Sequence, residues 1–119
     1  MRQEVSNLLE LETRKAVRQK LMQTAVLEKI ERNHLRMDTP AIRELLTLTR
    51  KRVQGTAMID RVQRWERIVR TGDLESVRRI VESDDEDSLE MRNLSPLSVL
   101  LEENERRDVI RATRRRFER

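Results

Sequence analysis

The chain has 119 residues, of which 36% are hydrophobic and 40% are charged, so it forms one domain with a modest core. It contains no cysteine, which excludes disulfides and thiolate metal sites, and no apolar run approaches the roughly 20 residues of a membrane-spanning helix. With two glycines, two prolines and only one Trp and one Phe, the composition favours long helices over sheet.

Most of the basic residues are arginines: the chain has 22 Arg and 4 Lys, and its net charge is only +4. Guanidinium groups make planar, bidentate contacts with phosphate or carboxylate, so this bias indicates a nucleic acid or an acidic protein as partner. Most of these arginines nevertheless alternate with Glu or Asp, which is typical of solvated helix faces. A codon-level origin of the excess is the third explanation.

The first predicted element is a long helix over residues 3–36. Its first apolar cluster is formed by Val5, Leu8 and Leu9, and a second, wider cluster runs from Val17 to Ile30. The heptad pattern is not sustained, so a continuous coiled coil is not predicted. The first cluster still indicates a homodimer in which this helix pairs with its copy.

Residues 39–82 are predicted to form successive helical hairpins. Thr39, followed by a proline, begins the second helix, which is predicted to end at Gly55. Gly72 has the position of a left-handed residue that ends the third helix, and Asp73 that of the N-cap of the fourth. Such short corners imply antiparallel neighbours in a compact bundle.

The third helix supplies the predicted core. Val62 and Trp65 share one helical face with Val69, Ile68 lies beside them, and the following helix adds Val77. We therefore predict an all-α bundle of about five helices with Trp65, Val62, Ile68 and Val77 in its core.

The acidic block at residues 83–87 has nothing to bury, so residues 83–94 are predicted to be an exposed acidic loop with at most a short helical turn near Met91. The Ser95-Pro96 pair then begins a last helix over residues 95–119. The basic end of that helix lacks the core pattern, and we expect it to fray.

The sequence offers little for catalysis. His34 is the single histidine and there is no cysteine, so a transition-metal site lacks ligands. Gly55 and Gly72 are isolated and form no phosphate-binding loop, and the acidic block lacks the ordered spacing of a calcium loop. We expect no enzyme activity, no metal and no cofactor.

The basic end of the last helix is the candidate binding surface. From Arg106 onward seven arginines face two acidic residues, a local charge of +5. We predict contact with an acidic partner, protein before RNA. The alternatives are a solvated tail and pairing with the acidic block of the same chain. The predicted contact residues are Arg107, Arg111, Arg114 and Arg115.

Three features resemble the C-terminal domain of paramyxovirus C proteins, the small basic products of a frame overlapping the phosphoprotein gene, as in Sendai virus. They are LETRKAVRQKLMQTAVLEKI at 11–30, the lone Trp65 in a later helix, and SLEMRNLSPLSVL at 88–100. An overprinted frame would also account for the many arginines and the missing Tyr and Cys.

That resemblance implies an all-helical accessory protein of the host-cell cytoplasm. It would bind a STAT transcription factor and so block interferon signalling, restrain the viral polymerase, and assist budding through the endosomal sorting machinery. The resemblance names these partners but assigns no contact residue in this sequence.

A second resemblance is to ankyrin repeats. TGDLESVRRIVESDDED at 71–87 is similar to the end of one repeat, and NLSPLSVLLEENERRDVIRA at 93–112 to the start of the next, with SPLS where the family has TPLH. It implies a cellular protein-interaction scaffold. A helical nucleic-acid binder that uses the terminal arginines is the remaining alternative.

Overall fold

A computed structural model describes the backbone of residues 2–118 and the side chains of residues 13–118. Over this range the chain is helical throughout, which confirms the predicted all-α class. Six α-helices are present, one more than predicted, with a 3₁₀ turn before the last. They are α1 (Arg2–Asn33), α2 (Pro40–Arg52), α3 (Thr56–Thr71), α4 (Leu74–Glu82), α5 (Glu86–Leu94), the 3₁₀ turn (Leu97–Leu100) and α6 (Glu103–Phe117).

Two predicted helix boundaries are confirmed. The Thr39 hydroxyl accepts the backbone N–H of Ile42 at 3.3 Å, with a proline in the first turn of α2. Gly72 adopts the left-handed conformation at φ 66°, and the Asp73 carboxylate accepts the Ser76 N–H at 3.1 Å. This corner reverses the chain between α3 and α4 within two residues.

Two other boundaries differ from the prediction. α2 ends at Arg52, and Gly55 lies at the N-terminus of α3 with φ 90°, a conformation that favours glycine, so Gly55 is not a left-handed helix C-cap. α1 ends at Asn33, three residues early, because His34 turns the chain at φ 53°.

The acidic loop predicted over residues 83–94 is wrong from Glu86 onward, where α5 begins. The Asp85 carboxylate accepts the Ser88 N–H at 2.7 Å and so caps this helix. Its first turn carries Glu86 and Asp87, whose charges suit the positive end of a helix. An acidic run is thus a helix start here, which a search for apolar periodicity does not detect.

The last predicted helix is also shorter than residues 95–119. The chain forms the 3₁₀ turn first, and α6 begins at Glu103, where the Glu105 carboxylate accepts the Glu102 N–H at 2.8 Å. α6 then remains helical to Phe117, so the expected fraying is not found within the described residues.

The long helix α1 packs against α4, α5, α6 and the 3₁₀ turn, while α2 lies on α3. The predicted core is confirmed, since the exposed fraction is 1% for Trp65, 0% for Val62, 7% for Ile68 and 1% for Val77. The Trp65 indole N–H donates to the Met91 carbonyl at 2.8 Å. That carbonyl is in the last turn of α5, where helix geometry provides no donor.

Cationic side chains donate hydrogen bonds to the carbonyl groups at other helix ends. Arg92 is 4% exposed, and its Nη1 donates to the carbonyls of Ile80 at 2.7 Å and Ser83 at 2.6 Å, at the end of α4. Burial lowers the pKa of Arg92, but guanidinium remains protonated in proteins. Lys29 of α1 donates to the Leu100 carbonyl at 2.8 Å, at the end of the 3₁₀ turn.

Replacing Trp65 with Ala should lower the free energy of unfolding by about 3 to 5 kcal/mol, because it removes a buried ring and leaves a cavity. Trp65→Phe retains most of the ring but leaves the Met91 carbonyl without its donor, at a cost of about 1 to 3 kcal/mol. Urea unfolding followed by far-ultraviolet circular dichroism measures both. Ile59→Ala, on an exposed part of the same helix, is the control; a Trp65→Ala effect no larger than the control would contradict the assigned core.

The N-cap carboxylates should make the fold sensitive to acid. Hydrogen bonds from Ser76 lower the pKa of Asp73, and those from Ser83 and Ser88 lower the pKa of Asp85, each from an ordinary value of 3.8. A carboxyl group with a lowered pKa stabilises the fold above its ordinary pKa, and this contribution is lost as the pH falls through the lowered value.

We therefore expect the urea midpoint to fall below about pH 4. The double variant Asp73→Asn, Asp85→Asn should reduce this acid dependence, because Asn caps a helix without titrating. The matched control changes two exposed carboxylates that make no hydrogen bond within the described residues, Glu44→Gln with Asp60→Asn. Equal acid dependence in both double variants would argue against the caps as its source.

Candidate interaction surface on the last helix

The four arginines predicted to contact a partner share one exposed stripe of α6. Their spacing of i, i+4, i+7 and i+8 places them on one side of the helix, whereas the buried residues Val109 and Thr113 lie on the other. We call this stripe the basic surface; it consists of Arg107, Arg111, Arg114 and Arg115.

The members of the basic surface differ in how far their charge is balanced. Arg107 pairs with Glu103 at 3.2 Å and Arg111 with Asp108 at 3.0 Å, both in exposed pairs that contribute little to stability. The side chains of Arg114 and Arg115 make no ion pair or hydrogen bond with any described residue. The uncompensated charge is therefore concentrated in the last turn of α6.

The acidic block of the chain does not neutralise the basic surface. Asp84 pairs with Lys20 of α1, and Asp87 pairs with Arg61 at 3.0 Å and Arg64 at 2.9 Å. The alternative in which the terminal arginines satisfy this block is therefore wrong for the described residues.

The end of α6 is fixed on α1. The guanidinium of Arg14 lies over the Phe117 ring, 4.9 Å from its centroid, and Lys29 pairs with Glu105 at 2.5 Å near the other end of α6. Arg18 is exposed one helical turn from Arg14 and adds a cation on this flank. The two helices are separated in sequence by residues 34–102, so pattern analysis could not combine them.

An apolar side chain accompanies the basic surface. Ile110 is 43% exposed and lies one turn before Arg114 on α6. Protein interfaces commonly combine an apolar contact with arginine, whereas a purely solvated helix face has no need of one. Helical periodicity alone does not distinguish Ile110 from the buried apolar residues of α6, and only the packing of the helix shows that it is exposed.

A groove of about 690 Å³ lies between α3, α4 and α5, and most of its acidic groups have internal roles. Asp73 and Asp85 cap helices, and Asp87 is paired with arginines. Within the described residues no cluster of three or more potential ligands is arranged to hold a metal ion.

The first apolar cluster, Val5, Leu8 and Leu9, lies outside the residues whose side chains are described, so dimerisation through α1 stays a prediction. In the described part of the chain, no helix combines the length and apolar character needed to cross a bilayer. Comparisons of the chain with protein-family models, curated proteins and solved structures found no match.

Proposed function

We propose that this chain is a non-enzymatic regulatory protein that binds an acidic protein through its basic surface. The observation that carries the proposal is the stripe of arginines opposite the core, with uncompensated charge in its last turn. Guanidinium groups donate two parallel hydrogen bonds to a planar carboxylate, and unbalanced charge raises the rate of encounter with an oppositely charged partner.

The attachment of α6 to α1 supports this function. A mobile tail loses conformational freedom when it binds, and that loss reduces the affinity. Here Phe117 is already held against Arg14, and Lys29 holds Glu105 at the start of the helix. The arginines are therefore presented on a helix whose position is set before the partner arrives.

A protein partner is favoured over RNA because aromatic platforms are lacking on the described surface. Single-stranded nucleic acid is usually bound by stacking its bases on exposed aromatic rings. Trp65 is buried, and Phe117, the other aromatic residue, is half-buried beneath Arg14. The exposed Ile110 instead provides an apolar contact that suits a protein surface.

Changing the four arginines of the basic surface to Glu should preserve folding and slow association with an acidic partner by roughly tenfold or more. The control changes four exposed arginines elsewhere to Glu, which alters the net charge equally: Arg32, Arg36, Arg67 and Arg70. Association rates are measured at several salt concentrations, first with a STAT factor and viral polymerase proteins. Loss of the salt dependence only in the first variant supports the proposal; equal losses in both would show a nonspecific charge effect.

The resemblance to paramyxovirus C proteins leads to a more specific proposal. The chain would act in the host-cell cytoplasm, bind a STAT factor to block interferon signalling, regulate viral RNA synthesis and assist budding. Two of the segments that carry the resemblance lie in α1 and across α5 with the 3₁₀ turn, and the third feature, Trp65, is buried. The helical fold agrees with this proposal but is shared by many protein classes.

The nucleotide sequence tests that origin directly. We expect a second long open reading frame over the same bases, and we expect expression of the chain to lower an interferon-driven reporter. The Glu variant of the basic surface should restore the reporter, while the matched control variant should not. A single open frame together with an unaffected reporter would contradict the viral proposal and leave binding through the basic surface to be judged separately.

The two alternatives receive less support from the geometry. An ankyrin repeat contains a turn and two helices, but the segment at 93–112 has the four-residue 3₁₀ turn where the first helix of the pair would lie. RNA binding predicts affinity that falls steeply with salt and is led by phosphate contacts. A titration with oligouridylate measures that slope.

A further inference from the structure

A second pocket, of about 400 Å³, lies where α5 and the end of α6 meet α1. Aliphatic side chains of α1 and α5 line part of it, including Val17, Leu21 and Leu89. Lys20, Arg92 and Arg116 line the remainder with one acidic residue, Asp84. The pocket therefore combines apolar walls with more positive than negative charge.

The cations of this pocket are only partly neutralised from within the chain. Asp84 pairs with Lys20. The side chain of Arg116, which follows directly after Arg115 of the basic surface, makes no ion pair or hydrogen bond with any described residue. The pocket thus has three cations for one carboxylate, and it extends the positive end of α6 round to the opposite side of that helix.

Arg92 is the unusual member, because this buried residue forms no ion pair within the described part of the chain, although the nearby charges of Asp84 and Asp85 act on it. Only its Nη1 donates, to Ile80 and Ser83, and Nε and Nη2 make no hydrogen bond within the described part of the chain. A guanidinium has five N–H donors in a rigid fork, so one edge of this group remains without an acceptor. Nε and Nη2 are not among the buried atoms that lack a partner, so this edge of the guanidinium is accessible and can donate to a carboxylate that enters the pocket.

We propose that this pocket binds a carboxylate of an acidic partner segment through Arg92 and Arg116, while a neighbouring aliphatic side chain packs on Val17, Leu21 and Leu89. The proposal rests on the proposed function and specifies the partner's chemistry as alternating acidic and aliphatic residues. The basic surface would then attract the segment, and the pocket would select it.

The walls of the pocket favour a peptide carboxylate over a nucleic acid. They offer no aromatic ring for a base to stack on, and their aliphatic groups match a Leu, Ile or Val side chain. Asp84 at the pocket repels a phosphate dianion more than it repels a single carboxylate charge. A peptide with one acidic residue between two aliphatic residues can pair with the cations of the pocket and pack on its aliphatic side chains.

The test titrates the isotope-labelled chain with acetylated, amidated Leu-Asp-Leu-Glu-Leu and records backbone amide and arginine Nε–H spectra. We expect shifts at Val17, Leu89 and the Arg92 Nε–H. Leu-Asn-Leu-Gln-Leu removes the charge and Ser-Asp-Ser-Glu-Ser removes the apolar groups. Each of these two peptides should therefore bind at least about tenfold more weakly than the first peptide. An oligouridylate of ten nucleotides tests the nucleic-acid alternative.

Matched variants avoid changing the buried Arg92. Arg116→Gln should weaken binding of the first peptide about fivefold, the usual upper worth of an exposed charge pair. Arg52→Gln, at an exposed arginine of α2 that lies neither on the basic surface nor at the pocket, should weaken it less than twofold. Equal effects of the two variants would overturn the pocket assignment.

The remaining outcomes separate this proposal from the proposed function. Shifts confined to residues 107–115, or no shifts at all, would overturn the pocket while leaving the partner-association test of the basic surface to decide the function. Tighter binding of the oligouridylate at the pocket would also overturn it, in favour of nucleic acid. Peptide shifts at the pocket, with association to acidic partners unaffected by the four Glu substitutions, would support the pocket and contradict the proposed function.

Discussion

This fold depends on donors for the carbonyl groups at the ends of its short helices, and the hydrogen bond from the Trp65 indole N–H to the Met91 carbonyl is one of them. α4 and α5 have nine residues each and the 3₁₀ turn has four, lengths at which an isolated helix is not stable in water. Each such helix also ends in carbonyl groups that have no intrahelical donor. Packing on α1 and α3 supplies both the apolar contacts and the donors.

Donors from distant parts of the chain meet that requirement. Trp65 donates to a carbonyl group at the end of α5, and Arg92 donates to one at the end of α4. Lys29 donates to one at the end of the 3₁₀ turn. Two of these three are cations, which also suit the negative pole of a helix. Short helices are thereby joined into one unit, and α6 is positioned by the same unit through Lys29 and Glu105.

This arrangement divides the many arginines into groups with different roles. Arg92 is structural and buried, while Arg61 and Arg64 neutralise the acidic start of α5. The arginines in the last turn of α6 have no such task within the described residues, so their side chains are available to a partner. Arginine excess alone does not indicate a binding surface; the residue's place in the fold decides which arginines are free to bind.

The sequence predicted those parts of the fold that follow from local rules. The Thr39 N-cap, the left-handed Gly72 and the buried face around Trp65 each depend on neighbours within about a turn of helix. The positions of the four candidate arginines away from the core also followed from helical spacing. Their role in binding remains a prediction.

Long-range interactions account for what was missed. The sequence predicts α5 poorly because the stability of this helix comes from Trp65 and from ion pairs with other helices. A pattern of apolar residues also assigns Arg92 to the surface, although it is buried. The pocket beside Arg116 combines α1 with α5 and α6, which follow much later in the sequence. Periodicity within one segment contains no information about such a combination.

The protection of the Trp65 indole N–H against hydrogen exchange tests this account most directly. The chain has one Trp, so its indole N–H gives a single assignable signal. If the bond to Met91 holds α5 on α3, the indole N–H should exchange only by global unfolding and be as protected as the slowest backbone amides. Exchange at the rate of an exposed indole, while the amides of α1 remain protected, would contradict it.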